Sequence, residues 1–328
     1  MLFVCTVLHF AVDGVCGAVL ADYAVNEEIF SNIVHYFSVY SVIAFGGQWF
    51  AGLILDRHKN LLLPFLCAAP VFLAGGLIDS AEILFQAVSL AVGNCLFHVA
   101  GGVLILERSQ NFREPGIFVS SGAAGLGLGL HRLISAFVFE ALCLFFTAIA
   151  IFRLVNSPTE SPSPKNPVPE RGSLLPIFAG AALLLVCVVL RGFGGGSPLP
   201  EYVMLMPCVF MLGKSAGGIL CDSIGFRKTI LAIFLMCFAG LQLEGLARII
   251  TLAFAFNMTM PLTLRLLHWY FPEHPGLTFG LAAGCLLPGA LLGESITIPA
   301  DVMSVVQFVG LFGAGYVFIR FGRGNILR

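Results

Sequence analysis

The sequence predicts an all-α membrane protein of twelve transmembrane helices, arranged as two pseudo-symmetric bundles of six. Three observations lead there. Of its 328 residues, 58% are apolar and only 11% charged, and mean hydropathy is +0.96; a soluble domain carries about 25% charged residues. Apolar stretches of about 20 residues, long enough to cross a hydrocarbon core, recur twelve times along the chain. One polar segment rich in Pro and Ser divides them six and six.

Spans 1 to 6 are expected near 2–22, 29–54, 61–78, 83–106, 115–131 and 133–153. Spans 7 to 12 are expected near 174–193, 201–221, 229–247, 249–267, 275–293 and 301–320. Span 1 could be mistaken for a signal peptide ending at Val19-Leu20-Ala21, but it lacks a basic flank and carries Asp13 at its centre, so it reads as retained. The stretch from Asn156 to Ser173, with Pro158, Pro162 and Pro164, favours neither helix nor packed core. The expected organisation is therefore an N-terminal bundle over 1–155, a cytoplasmic linker over 156–173 and a C-terminal bundle over 174–328.

Thirteen of the 17 Lys and Arg residues fall on one side of this arrangement, among them Arg57, Lys59, Arg227, Lys228 and Arg265. Only Arg132, Arg191 and Arg248 fall towards the other side, where the loops carry Asp22, Glu27, Glu28, Asp79, Glu82 and Glu201. Cytoplasmic loops retain the basic residues, so both termini are expected in the cytoplasm, and the membrane is expected to be a bacterial cytoplasmic membrane. A net charge of −1 gives no basic footprint for a nucleic acid. The ten cysteines stand singly in apolar runs, as small buried hydrophobes do. Their spacing offers neither a disulfide framework nor a zinc site. No metal, no cofactor and a monomer are expected.

Two stretches recur. Gly47-Gln48-Trp49-Phe50-Ala51-Gly52-Leu53-Ile54-Leu55-Asp56-Arg57 is matched 166 residues on by Gly213-Lys214-Ser215-Ala216-Gly217-Gly218-Ile219-Leu220-Cys221-Asp222-Ser223. Span 5 opens on Glu114-Pro115-Gly116, and span 11 on His274-Pro275-Gly276. Six plus six helices, a parallel repeat and Gly-x-x-x-Asp at the ends of spans 2 and 8 together resemble the major facilitator superfamily of secondary transporters. The resemblance covers the whole chain. Of the family's loop signature, G-x-x-x-D-R-x-G-R-K, the first copy keeps Gly52, Asp56 and Arg57, with Lys59 and Asn60 in place of the later Gly and Arg. The second keeps Gly218, Asp222, Gly225, Arg227 and Lys228, with Ser223 and Phe226 in place of the two Arg. Gly lets helix backbones approach closely, and an Asp at a helix end can accept hydrogen bonds from a neighbouring helix N-terminus. The resemblance implies that Asp56 and Asp222 latch the cytoplasmic side.

It also implies that spans 1, 4, 7 and 10 line a central cavity. A charge at mid-bilayer costs about 2.5–3.5 kcal/mol on insertion scales, so a polar side chain there faces a cavity or a partner. Span 1 has His9 and Asp13, span 4 has Asn94 and His98, and span 10 has Asn257 and Arg265. Each of the first two pairs is spaced i,i+4 and shares one helix face. Lys214 occupies the repeat position of Gln48 and is expected to bind an anionic group or to pair with a carboxylate, with Glu140 of span 6 as one candidate. Arg191 stands 31 residues before Asp222, against 43 between Asp13 and Asp56, which predicts a place near the outer mouth.

The expected function is secondary transport of a small polar or amphiphilic solute by alternating access. A proton is the expected coupling ion, carried at Asp13 and His9. No nucleophile and base pair supports an enzyme. A multidrug-type efflux carrier and a non-transporting membrane-embedded enzyme or sensor of the same fold are the alternatives.

Overall fold

The computed structural model describes residues 1–25, 32–79, 82–156, 174–193 and 204–321. All but the first residue of the expected linker lies outside them, as do Glu27, Glu28 and Glu201. Among the described residues every regular element is a helix. Span 1 is one helix, Leu2–Val25. Span 2 runs through Ile33–Ser41, a π-helical turn at Val42–Gly46, and Gln48–Arg57. Spans 4 and 10 are the longest, Ile83–Arg108 and Gly245–Tyr270 at 26 residues each. Span 5 is Arg113–Leu130, span 6 Ala136–Asn156, span 7 Leu174–Phe193, span 8 Leu205–Ile224 and span 12 Ala300–Phe321. Span 11 is interrupted, forming Pro275–Gly284 and Leu286–Ser295. Pro288 has no N–H to offer the Gly284 carbonyl four residues back, and the helix breaks there.

Among the described residues nine helices are long and apolar enough to cross a membrane, by length and composition. Three expected spans fall short for visible reasons. Span 3, Leu62–Gly75, has 14 residues and ends at a Gly pair. Span 9, Phe226–Leu241, has 16. Span 5 opens on Arg113 and Glu114 and is diluted by five glycines.

Span 1 packs against spans 4, 5 and 6, span 5 against span 8, and span 8 against span 10. Spans 7 and 9 both pack on span 12, and the second part of span 2 packs on the first part of span 11. Spans 1 and 5 meet backbone to backbone: a Cβ at Gly125 would run into the Phe10 carbonyl. One turn away, the bare face of Gly122 lies directly under the His9 and Asp13 side chains. Small residues in span 5 thus make the space that two polar side chains of span 1 occupy.

Candidate functional site

Helical spacing aims His9 and Asp13 from span 1 at the face of span 4 that carries Asn94 and His98. His9 Nε2 stands 3.3 Å from Asp13 Oδ2, and His98 Nε2 stands 3.5 Å from Asp13 Oδ1. The Asn94 side-chain amide points to Asp13 Oδ1 at 3.5 Å, to the Tyr40 hydroxyl at 3.2 Å and to Cys16 Sγ at 3.3 Å. The other nitrogen of each imidazole meets a carbonyl: His9 Nδ1 is 2.7 Å from Phe118 O, and His98 Nδ1 is 2.9 Å from Asn94 O.

A carbonyl can only accept, so both Nδ1 atoms carry hydrogens, an assignment of tautomer that follows from the partners. Both Nε2 atoms then face one carboxylate. With neither Nε2 protonated, lone pairs would confront lone pairs, and a shared cation removes the conflict. The three donor atoms lie within 4.8 Å of one another, a spacing at which one cation, a proton or a metal ion, can be shared. The sequence offered no metal-ligand spacing because these donors come from helices 85 residues apart.

The second half contributes cations. Arg191 of span 7 is buried, and its Nη1 donates to the hydroxyls of Thr259 and Thr263 in span 10, each at 3.3 Å. Its Nη2 has no partner among the described residues. The Arg191 guanidinium thus reaches the middle of the 26-residue span 10, while the residue itself lies in the last turn of span 7, towards the end where it is expected. Lys214 interacts through space with both Asp13 and Arg191 and forms no ion pair among the described residues.

Glu140 is not the partner of Lys214. It is buried beside Cys143 and within electrostatic reach of Cys16, and neither carboxyl oxygen has a hydrogen-bond partner among the described residues. Gln48 and Asn257 turn back on their own helices, Gln48 donating to Ala44 O at 2.6 Å and Asn257 to Ala253 O at 2.8 Å. Arg265 also leaves the central group. Its guanidinium donates to Leu106 O at 3.0 Å, to Asn111 O at 3.1 Å and to the Ser109 hydroxyl, tying span 10 to the turn between spans 4 and 5.

The duplicated motif forms a duplicated contact. Asp56 Oδ1 accepts the Gly276 N–H at 2.7 Å and Oδ2 accepts the Leu277 N–H at 2.8 Å. Asp222 Oδ1 accepts the Phe112 N–H at 3.0 Å and Oδ2 the Arg113 N–H at 2.8 Å. Each carboxylate caps the N-terminus of a helix in the opposite half, where free N–H groups and the helix dipole favour negative charge. Gly218 lies against the Phe112 carbonyl, and Gly225, at φ +89°, turns the chain from span 8 into span 9. Arg57, Arg227 and Lys228 are exposed and form no ion pair among the described residues. At the other end spans 2 and 11 part around a groove of about 510 Å3 lined by Val34, Phe37, Ser38, Ser41, Val42, Leu287 and Leu291.

Sequence reasoning missed Tyr40, Thr259, Thr263, Ser109 and Asn111. Thr259 and Thr263 carry the same i,i+4 signal as His9 and Asp13, but a Thr hydroxyl in a helix commonly bonds its own backbone, so the pattern does not single them out. A lone Tyr in an apolar run, such as Tyr40, carries no such signal.

No protein-family model matches the sequence, and no curated protein is similar to it in sequence. Solved structures are similar in fold. The fucose:proton symporter of E. coli, crystallised as a single-substitution variant, superimposes with a TM-score of 0.64 at 12% identity, over 97% of this chain and 97% of that one. A second structure, of the major facilitator superfamily transporter FucP in the outward conformation, gives a TM-score of 0.62 at 12% identity over 96% and 98%. With its apolar helices, its capped helix ends and this likeness along its whole length, the chain is a multi-pass integral membrane protein with the major facilitator superfamily fold.

Proposed function

We propose that the chain is a proton-coupled secondary transporter that moves a small solute by alternating access between two six-helix bundles. The observation that carries this reading is the Asp13 carboxylate held between His9 and His98 deep inside the helices. The fold-mate is named as a proton symporter, and two imidazoles with fixed tautomers around one carboxylate are suited to taking up and releasing a proton.

The bundles are 1–155 and 174–328, joined by the segment at 156–173, with both termini in the cytoplasm of a bacterial cell, as the basic loops favour. Asp56 and Asp222 then close the cytoplasmic side, and the groove between spans 2 and 11 opens outward. Solute and proton enter from outside. Neutralising Asp13 releases its hold on Lys214, the bundles rock, the two capped helix ends separate, and the cargo leaves inward. The working unit is a monomer.

The test is transport in liposomes. Wild-type protein is expected to accumulate solute when the outside is made acidic, and Asp13→Asn to lose accumulation while still exchanging solute down its gradient. Equal accumulation by both proteins would overturn the assignment of Asp13, and no movement of any solute would overturn transport itself.

A further inference from the structure

We infer that the transported solute is an anion, a small organic molecule whose carboxylate or phosphate is bound between Arg191 and Lys214. The inference rests on the transporter reading and names its substrate class. Arg191 is 6% exposed, and its two threonine contacts use one guanidinium nitrogen. Both threonine hydroxyls donate to carbonyls of their own helix, Thr259 to Phe256 O at 2.6 Å and Thr263 to Met260 O at 2.9 Å. They thus turn lone pairs to Arg191 and fix its direction without neutralising it. Nη2 is left buried and unpaired among the described residues.

Lys214 is at the same level. Its carbonyl and Pro261 both face Gly116, and Pro261 lies between the two threonines in span 10. Lys214 is only partly buried and forms no ion pair among the described residues. The carboxylate it feels is Asp13, which is already shared among His9, His98 and Asn94.

Lys214 and Arg191 thus stand within electrostatic reach of each other, and the carboxylate that Lys214 feels is already committed. A buried cation without a counter-ion is unfavourable unless it awaits one. A guanidinium with a free N–H edge suits the two oxygens of a carboxylate or phosphate, with the Lys as a point charge beside it. The arrangement also explains coupling. Once a proton neutralises Asp13, Lys214 is free for the solute, so an anion and a proton travel together and little net charge crosses.

The test uses purified full-length protein and matched probes: glucose, glucuronate, glucose 6-phosphate, acetate and inorganic phosphate. Anionic probes are expected to raise the melting temperature while glucose does not. Lys214→Gln and Arg191→Gln are expected to weaken that binding by about 30-fold or more. Lys214 is partly exposed, so its variant keeps the test valid if Arg191→Gln does not fold. Stabilisation by glucose equal to that by glucuronate, no stabilisation by any anion, or anion binding unchanged in Lys214→Gln would each overturn the inference. Liposome uptake separates the two readings: anion binding without transport refutes the carrier and keeps the anion site, whereas neutral-solute transport that ignores both cations does the reverse.

Discussion

Gly52 and Gly276 face each other across the two halves so closely that a Cβ on either would run into the other's backbone. The approach is what brings Asp56, one turn further along span 2, within reach of two free N–H groups at the start of span 11. Close packing and helix capping are one device here. A Gly52→Val variant is expected to lose about 1–3 kcal/mol, the usual cost of overpacking, and to favour the state open to the cytoplasm. Distances between spin labels placed at the two motif loops should lengthen; unchanged distances would show that the glycines only pack.

Removing the charges tests the caps directly. Hydrogen bonds to charged groups contribute about 1.5–3 kcal/mol, so Asp56→Asn and Asp222→Asn should each weaken the closed state and the double variant should do so more. Buried Cys221, next to Asp222, is the reporter. Its alkylation by a thiol reagent, followed by mass spectrometry, is expected to accelerate in the order wild type, single, double.

Much of this was legible in the sequence. Gly-x-x-x-Asp and Pro-Gly are local patterns whose physics is local too, so Asp56, Asp222 and the helix starts at Gly116 and Gly276 stand out from the repeat, although which Asp meets which helix start does not. The pairs His9/Asp13 and Asn94/His98 were legible as faces of single helices. What could not be read was which face meets which, because that depends on helix rotation and depth. Arg265 had the spacing of a cavity residue, yet it binds the turn at Leu106, Ser109 and Asn111. Arg191 stands in the last turn of span 7, and only its long side chain carries the charge to Thr259 and Thr263.

Arg265 accordingly joins the contacts between the two halves at the end where Asp56 and Asp222 cap their helices. Arg265→Gln is expected to destabilise the protein by about 3 kcal/mol or more through lost charged hydrogen bonds, visible as a lower melting temperature. It should also raise Cys221 alkylation, as the Asp222 variant does. A variant with anion binding abolished but both of these unchanged would return Arg265 to the central site.

Glu140 is a buried carboxyl whose oxygens have no hydrogen-bond partner among the described residues. Leaving such a group unpaired costs about 1–3 kcal/mol. Glu140→Met should therefore raise the melting temperature without changing solute uptake. Lost uptake in a stable variant would instead assign it to the proton route.

Proton-linked uptake should rise as the outside is acidified, because loading needs Asp13 protonated on that side. The groups that face Asp13 are His9 and Cys16 on its own helix, Tyr40 from span 2, Asn94 and His98 from span 4, and Lys214 from span 8, with Glu140 of span 6 behind Cys16. His98→Gln should shift the pH profile along its axis, whereas Asp13→Asn should flatten it.

The most direct measurement follows lumenal pH in liposomes while an inward solute gradient is imposed and no pH gradient exists. Wild-type protein is expected to acidify the lumen as solute enters, and Asp13→Asn to admit solute with no pH change. Solute entry without acidification in the wild type, or identical acidification by the variant, would contradict the account.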